Sequence, residues 1–385
     1  MSFFFQEGPG VRNTQYTTSG VKLLNVANLV DGKVDLSKSD RYISEEEAYG
    51  KYRHFLCDDG DFVIASSGIK VEYIDKKMGF VDASMLPLCM NTSTIRFKVL
   101  DENQLRIRYF MYYLKSKHFK EQLTKQITGS AQLNYGPSHL KKMIMPLIDI
   151  TVQDEIISCM DKLQSIIETR QRELIELDRL MKARFVELFG DPRSNPFGFE
   201  KKRLKDTCKV ITGNTPSRAI AEYYGDYIEW IKTDNIVSGI LNPTQATESL
   251  SEKGMNVGRT VEKDSILMAC IAGSIASIGR VCITDRTVAF NQQINAVVPE
   301  QYNILFLYVL FQMSKDYLVE DINMALKGIL SKSKLEEKEF IIPPMDLQEQ
   351  FSDFVKQVNK SKVAVQKALD ETQILFDSLM QKYFG

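Results

Sequence analysis

The sequence predicts an α+β protein that is built twice: two related, strand-rich modules with helices, joined by two long antiparallel coiled-coil helices. Three observations predict it. Residues 153–190 recur as residues 348–385 without a gap, so that Phe189-Gly190 falls on Phe384-Gly385, Leu174 on Leu369, Leu180 on Leu375 and Leu163 on Val358. Ahead of each copy stand short β-like runs broken by turn residues, followed by a helical stretch. Pro146 and Pro343-Pro344 then stop the globular part just before each long helix, as prolines do outside a helix N-terminus.

Module one occupies residues 1–150. Residues 21–26 and 62–65 read as strands, set off by the turn pairs Asp31-Gly32 and Asp58-Asp59-Gly60-Asp61. Residues 105–126 read as helix, with Phe110, Tyr113, Leu114 and Phe119 on one side and Lys115, Lys117, Lys120 and Lys125 spread among them. Residues 151–190 form the first spacer helix. Module two, residues 191–345, repeats the order: Asn235 to Gly239 stands for Asn28 to Gly32, Asp264 to Met268 for Asp61 to Ala65, and Leu305 to Leu310 for Tyr109 to Leu114. Residues 346–385 form the second spacer helix.

Both helices carry a 3-4 apolar seam. In the first it runs through Met160, Leu163, Ile167, Leu174, Leu177, Met181 and Leu188, and in the second through Val355, Val358, Val365, Leu369, Phe376, Leu379 and Tyr383. About 37 residues at 1.5 Å each make a rod of roughly 55 Å that cannot bury its stripe alone. The first helix leads away from module one and the second starts beside module two, so pairing of the seams requires an antiparallel return, a dumbbell about a pseudo-twofold axis. Arg170, Arg184, Lys362 and Thr372 interrupt the seam and are expected to set register.

Composition excludes several classes. At 385 residues, 44% hydrophobic and 26% charged, the chain can bury two cores of ordinary size. No apolar run reaches the length of a membrane span and the start lacks the pattern of a secretory signal, so a cytoplasmic protein without a membrane partner is expected. Six scattered cysteines without a CxxC pair suggest neither zinc nor disulfides. Three separate histidines suggest no metal cluster, and no metal is expected. The P-loop pattern and a glycine-rich cofactor loop are both missing, and Asn195-Pro196-Phe197 and Ile342-Pro343-Pro344-Met345 read as turn chemistry at helix boundaries rather than as adenine-holding loops. The Asp58 to Asp61 run lacks the later glutamate of a calcium loop and reads as a hairpin turn. The chain is expected to be catalytically empty.

The polar loops suit nucleic acid instead. Arg, Asn and Gln make paired hydrogen bonds to base edges, while Lys and backbone amides hold phosphates. In module one the candidates are Arg12 and Asn13, Ser66 and Lys70, and Ser130, Gln132 and Asn134. In module two they are Thr215 and Arg218, Ser274 and Arg280, Gln292 and Gln293, and Lys327. Each residue alone reads more readily as part of a solvated or capping loop, and only recurrence at matching places in both halves raises the case for binding.

The Leu-Phe-Gly-Asp-Pro run at 188–192 followed by Asn195-Pro196, the Gly213-Asn214-Thr215-Pro216 loop, the Asn291-Gln292-Gln293 stretch and Pro343-Pro344 ahead of Gln348 resemble the DNA-specificity subunit of type I restriction-modification systems, over nearly the whole chain. The resemblance implies two target-recognition domains, each reading one half of a split double-stranded DNA sequence, with antiparallel helices fixing the gap. It implies two docked methyltransferase subunits that bring S-adenosylmethionine, none being expected in this chain, and leaves open whether restriction (motor-nuclease) subunits join them. Module one departs from the pattern. Only seven residues precede Gly8, so a leading strand is expected to be absent, with another segment completing the module or the start lost by truncation or gene shuffling.

The rod separates two heads by at most about sixteen base pairs, and unlike heads imply an asymmetric bipartite target. A structural adaptor whose modules bind proteins is the alternative, separable by salt dependence. A self-contained methyltransferase is disfavoured by the missing cofactor loop.

Overall fold

The computed structural model describes residues 3–126, 135–322 and 328–385. The chain divides into two compact units, Met1–Glu168 with Leu369–Gly385, and Thr169–Ala368. Among the described residues no helix is long and apolar enough to cross a membrane.

In the first unit a four-stranded antiparallel sheet runs in the order Phe3–Glu7, Thr94–Val99, Phe62–Ala65, Met78–Phe80. Its inner face is aromatic, with Phe62, Phe97 and Phe110 in mutual contact beneath the helix Ile107–Lys115. A second sheet, Tyr42–Ile43, Val21–Leu24, Leu88–Met90, joins its last two strands in parallel. Alternation of buried residues along Val21–Leu24 is broken because both faces are covered, which is why this strand reads as a nearly continuous apolar run.

The second unit repeats the design. Its central sheet runs Cys208–Thr212, Ile294–Pro299, Ile266–Ala269, Val281–Ile283. Its second sheet keeps the same core, Ser249–Leu250, Ile228–Ile231, Val288–Phe290, with the last pair again parallel, and adds Tyr224–Gly225 and Thr260–Val261 at its edges. Small joints repeat as well: Ser44 caps the helix Glu45–Tyr49 and Ser251 caps Glu252–Val257, each hydroxyl accepting a backbone N–H three residues on.

Two expectations are corrected here. The strand that enters Gly8 is present: Phe3–Glu7 pairs with Thr94–Val99 as Cys208–Thr212 pairs with Ile294–Pro299. Five residues rich in phenylalanine suffice for an edge strand, and what module one lacks among its described residues is a counterpart of the earlier strand Lys201–Arg203, which pairs with Glu339–Ile341 in the second unit. The match of Asp61 to Ala65 with Asp264 to Met268 is one residue out. Ala65 faces Thr94 and Ala269 faces Ile294, and the left-handed backbone lies at Gly60 and Asp264. Asp264 therefore matches Gly60, a slip that alternation along a strand turns into the wrong face.

The long helices span Ile150–Phe189 and Met345–Phe384. In the first unit Ile156, Met160, Leu163 and Ile167 share a core with Phe376, Met380 and Phe384. In the second, Met181, Phe185 and Phe189 share one with Phe351, Val355 and Val358. The start of one helix thus meets the end of the other, and they pack antiparallel. The expected seam is closed at Met160, Leu163, Ile167, Met181, Val355, Val358 and Phe376, whereas Leu174, Leu177, Leu188, Val365, Leu369, Leu379 and Tyr383 are half-buried. Phe185 and Phe189 lie off the heptad template yet are fully buried, because Phe306 of the helix Ile304–Met313 packs on them as a third partner. Lys362, which interrupts the seam, donates to Asp178 Oδ1 at 2.8 Å and to the Gly239 carbonyl at 2.7 Å, an arrangement that fixes register.

Candidate nucleic-acid interface

Each unit gathers its polar loops at one end of its central sheet, and a glycine–asparagine joint holds them there. The Gly8 N–H donates to the Thr94 carbonyl at 2.9 Å, and the Gly213 N–H to the Ile294 carbonyl at 3.0 Å. A Cβ on Gly8 would stand 2.0 Å from the Asn91 carbonyl oxygen, and one on Gly213 would stand 2.1 Å from that of Asn291. Only glycine allows this approach. Asn91 is 2% exposed; its Oδ1 accepts from Val11 N at 3.3 Å and its Nδ2 donates to Asn25 Oδ1 at 2.8 Å. Asn291 is 5% exposed and exchanges hydrogen bonds with Gln293 at 3.1 Å.

A third chain pass joins the same place. The N–H groups of Ser66 and Cys270 donate to the carbonyls of Ser93 and Gln293, both at 2.8 Å, while their own carbonyls accept from Tyr135 at 3.0 Å and Leu330 at 2.9 Å. The backbone is consumed at these joints, so the side chains of the loops beyond them are left to face outward.

Several expected residues take such outward positions. Arg12, Asn13 and Lys70 are exposed in the first unit, and Thr215, Arg218, Ser274 and Gln292 in the second. Thr215 Oγ1 donates to Gln292 Oε1, which brings two expected loops into one surface. Ser274 Oγ lies 3.2 Å from Ser277 Oγ. Gln293 is half-buried against Asn291, and Arg280 is half-buried with its guanidinium on the Ser277 and Thr233 carbonyls, so both support loops more than they face solvent. Ser66 is a correction: it is 1% exposed, its hydroxyl directed at Glu7, because it is the strand-end joint rather than loop surface. Ser130, Gln132, Asn134 and Lys327 lie outside the described residues.

The second unit adds a cluster that loop composition did not reveal. The Arg218 guanidinium lies 4.4 Å from the Tyr224 ring and 5.2 Å from that of Trp230, and pairs with Glu248 at 2.6 Å. Lys232 pairs with the other oxygen of Glu248 and also lies over Trp230, at 5.1 Å. Tyr224 donates to the Pro216 carbonyl at 2.7 Å and Trp230 to the Asn214 carbonyl at 3.3 Å, so both rings are fastened to the glycine loop. The hydrogen bond from Lys232, then that from Arg218, holds the Glu248 carboxyl below its ordinary value. The sequence signal was available: Trp230 is the chain's single tryptophan and a lysine follows two residues later. Thr92 and Ser93 were missed too, although they follow Asn91 as Gln292 and Gln293 follow Asn291.

Each platform thus presents cations backed by aromatic rings or outward amides, the group types that can bond phosphates and base edges. The family model for the type I restriction modification DNA specificity domain matches residues 15–179 and 196–372, one copy in each half. The chain belongs to that family. It is 33% identical to the type I restriction enzyme HindI specificity subunit of Haemophilus influenzae over 146 residues, 36% of this chain and 31% of that protein. It is 23% identical to the MjaIX specificity subunit of Methanocaldococcus jannaschii over 328 residues, 79% of this chain and 74% of that one. The first of these matches thus spans under a third of the relative's length. The crystal structure of a type I restriction-modification S subunit from M. genitalium superposes with a TM-score of 0.58 at 15% identity, covering 100% of this chain and 94% of that chain. At that identity the likeness is one of fold.

Proposed function

We propose that this chain is the DNA-specificity subunit of a type I restriction-modification complex, a reader that carries no chemistry of its own. One observation carries the reading: a joint with the same backbone bonds and the same glycine–asparagine approach displays different side chains in the two units. Asn91 is followed by Thr92 and Ser93, and Asn291 by Gln292 and Gln293, with the same alternation of buried and exposed positions in both stretches. One frame with two faces suits a target whose halves differ.

In this reading the exposed Arg12, Asn13, Arg218 and Gln292 address base edges, and Lys70 and Lys232 address phosphates. The paired helices set the number of unread base pairs and dock two methyltransferase subunits, which bring S-adenosylmethionine to adenine. The test is co-expression with the methyltransferase followed by single-molecule methylation sequencing. Adenine methylation in an asymmetric motif with an unread spacer is expected, and exchange of residues 1–150 for another module should alter one half-site alone. A continuous or palindromic motif, or a change in both half-sites, would overturn the two-reader reading.

A further inference from the structure

The two units match residue for residue around the second sheet, and that match exposes an arginine outside the loops already described. Leu23 and Trp230 occupy the same strand position: the Leu23 N–H donates to the Arg41 carbonyl at 2.8 Å, and the Trp230 N–H to the Glu248 carbonyl at 3.1 Å. The flanking pairs agree, Val21 with Ile43 and Ile228 with Leu250. Arg41 therefore stands where Glu248 stands, beside the glycine loop of its own unit.

At this shared strand position the two units carry opposite charges, yet each unit sets an arginine against an aromatic ring. In the second unit the loop supplies the arginine, Arg218, and the strand position supplies the carboxylate that holds it. In the first unit the strand position supplies the arginine and the loop supplies an aromatic ring. The Arg41 guanidinium lies 5.3 Å from the Tyr16 ring centre, and the Tyr16 hydroxyl accepts from Asn91 Nδ2 at 3.4 Å. The neighbouring carboxylate, Asp40, is engaged by Lys22 at 3.1 Å, and among the described residues Arg41 enters no ion pair. Arg41 is exposed as a residue while its guanidinium lies over the ring. An exposed guanidinium that rests on an aromatic ring and enters no ion pair is available to a planar, bidentate acceptor.

We infer that Arg41 is a further base-reading arginine of the first unit, contacting the O6 and N7 edge of a guanine in its half-site, the role proposed for Arg218 in the second. This rests on the DNA-reading function proposed above, and the experiment separates the two. The wild-type complex with its methyltransferase is first mapped by methylation sequencing; absence of any bipartite motif there would defeat the specificity reading itself, before any substitution is made. Arg41→Ala, Arg41→Lys and Arg218→Ala complexes are then mapped and titrated with DNA duplexes that carry each base at each half-site position.

For wild type, a roughly 10- to 100-fold preference for guanine is expected at one position of the half-site that exchange of residues 1–150 alters. Arg41→Ala should reduce that preference to about threefold or less and leave the other half-site intact. Arg41→Lys, which keeps the charge and loses the fork, should not restore it, and Arg218→Ala should relax the opposite half-site. Three results would overturn the assignment. Arg41→Ala or Arg41→Lys could keep full discrimination. Arg41→Ala could instead weaken all duplexes equally with a shallower salt slope, the mark of a phosphate contact. The relaxed position could prove not to be guanine.

Discussion

Gln153 and Gln348 make the same pair of hydrogen bonds in the two halves. Each lies near the start of a long helix, 0% and 1% exposed. Gln153 Oε1 accepts the Arg106 N–H at 3.0 Å and its Nε2 donates to the Ile148 carbonyl at 2.9 Å. Gln348 Oε1 accepts the Asn303 N–H at 2.9 Å and its Nε2 donates to the Pro343 carbonyl at 2.8 Å. A buried amide thus ties each spacer helix to the first turn of the helix that backs the adjacent sheet, so the platform's orientation is passed to the spacer through polar bonds as well as apolar packing.

Gln153→Ala and Gln348→Ala should each cost about 1–3 kcal/mol, because each leaves backbone groups packed beside the helix without their hydrogen-bond partner, the Arg106 N–H and the Gln104 and Ile148 carbonyls in the first case and the Asn303 N–H and Pro343 carbonyl in the second. Hydrogen exchange locates the damage. Gln153→Ala should speed exchange in Ile107–Lys115 and spare Ile304–Met313, and Gln348→Ala should do the reverse. Equal effects on both helices in either variant would show that the amides are not local ties.

The glycine joints predict a contrast among small substitutions. Gly8→Ala and Gly213→Ala would drive a methyl group onto the carbonyls of Asn91 and Asn291, whereas Gly10 has nothing within 4 Å of its Cβ position. The first two should destabilise by about 1–3 kcal/mol and weaken DNA binding as the loops shift, and Gly10→Ala should be near neutral. Denaturant titration and a DNA-binding isotherm on the three variants check this. A stable, fully binding Gly213→Ala would remove the joint from the account.

What the sequence made legible follows from where spacing is rigid. The long helices could be aligned because a helix tolerates no gap along its seam, and their antiparallel pairing followed from chain direction. The ends were less legible: Phe185 and Phe189 are buried by Phe306, a third element that a two-helix heptad does not contain. In the platforms, insertions between joints hid the true register, so Phe3–Glu7 passed for too short a strand. Ser66 looked like loop surface because Ser-Ser-Gly is turn chemistry; that it closes a strand depends on the carbonyl of Ser93, distant in sequence. The cluster around Trp230 draws on residues 218, 224, 230, 232 and 248, a spacing without a local motif.

Arg96 illustrates the same limit and yields a stability prediction. Arg96 is 6% exposed, and its guanidinium bonds the Asp61 carboxylate at 3.1 Å and the carbonyls of Leu56 and His54, both at 2.7 Å. Asp61 was legible only as part of a turn. Asp61→Ala should cost about 3–5 kcal/mol, since it leaves a buried cation without its counter-ion. The loss should fall on the first unit, as the second places Ala296 and Ser265 at the corresponding positions. Limited proteolysis should then cut first within residues 3–126; preferential cleavage in the second unit would contradict the assignment.

Glu248 gives the cluster around Trp230 a pH dependence whose sign is fixed. Its carboxyl is held below the ordinary value of 4.5 by the hydrogen bond from Lys232 and then that from Arg218. A carboxylate with a depressed value in the folded state contributes its stabilisation in full above the unfolded value and loses it as pH falls through the folded one. The cluster should therefore hold Arg218 and Lys232 at neutral pH and release them below about 4.5. Trp230, the single tryptophan, lies within cation–π range of both and reports the event by its emission. Wild type should show an emission transition below pH 4.5, and Glu248→Gln should lack that transition and resemble acid-treated wild type at neutral pH. Since the substitution frees both cations without removing either, it should leave phosphate attraction in place while blurring base choice in one half-site. An unaltered transition in Glu248→Gln would assign the signal to another carboxylate and detach Glu248 from the positioning of Arg218.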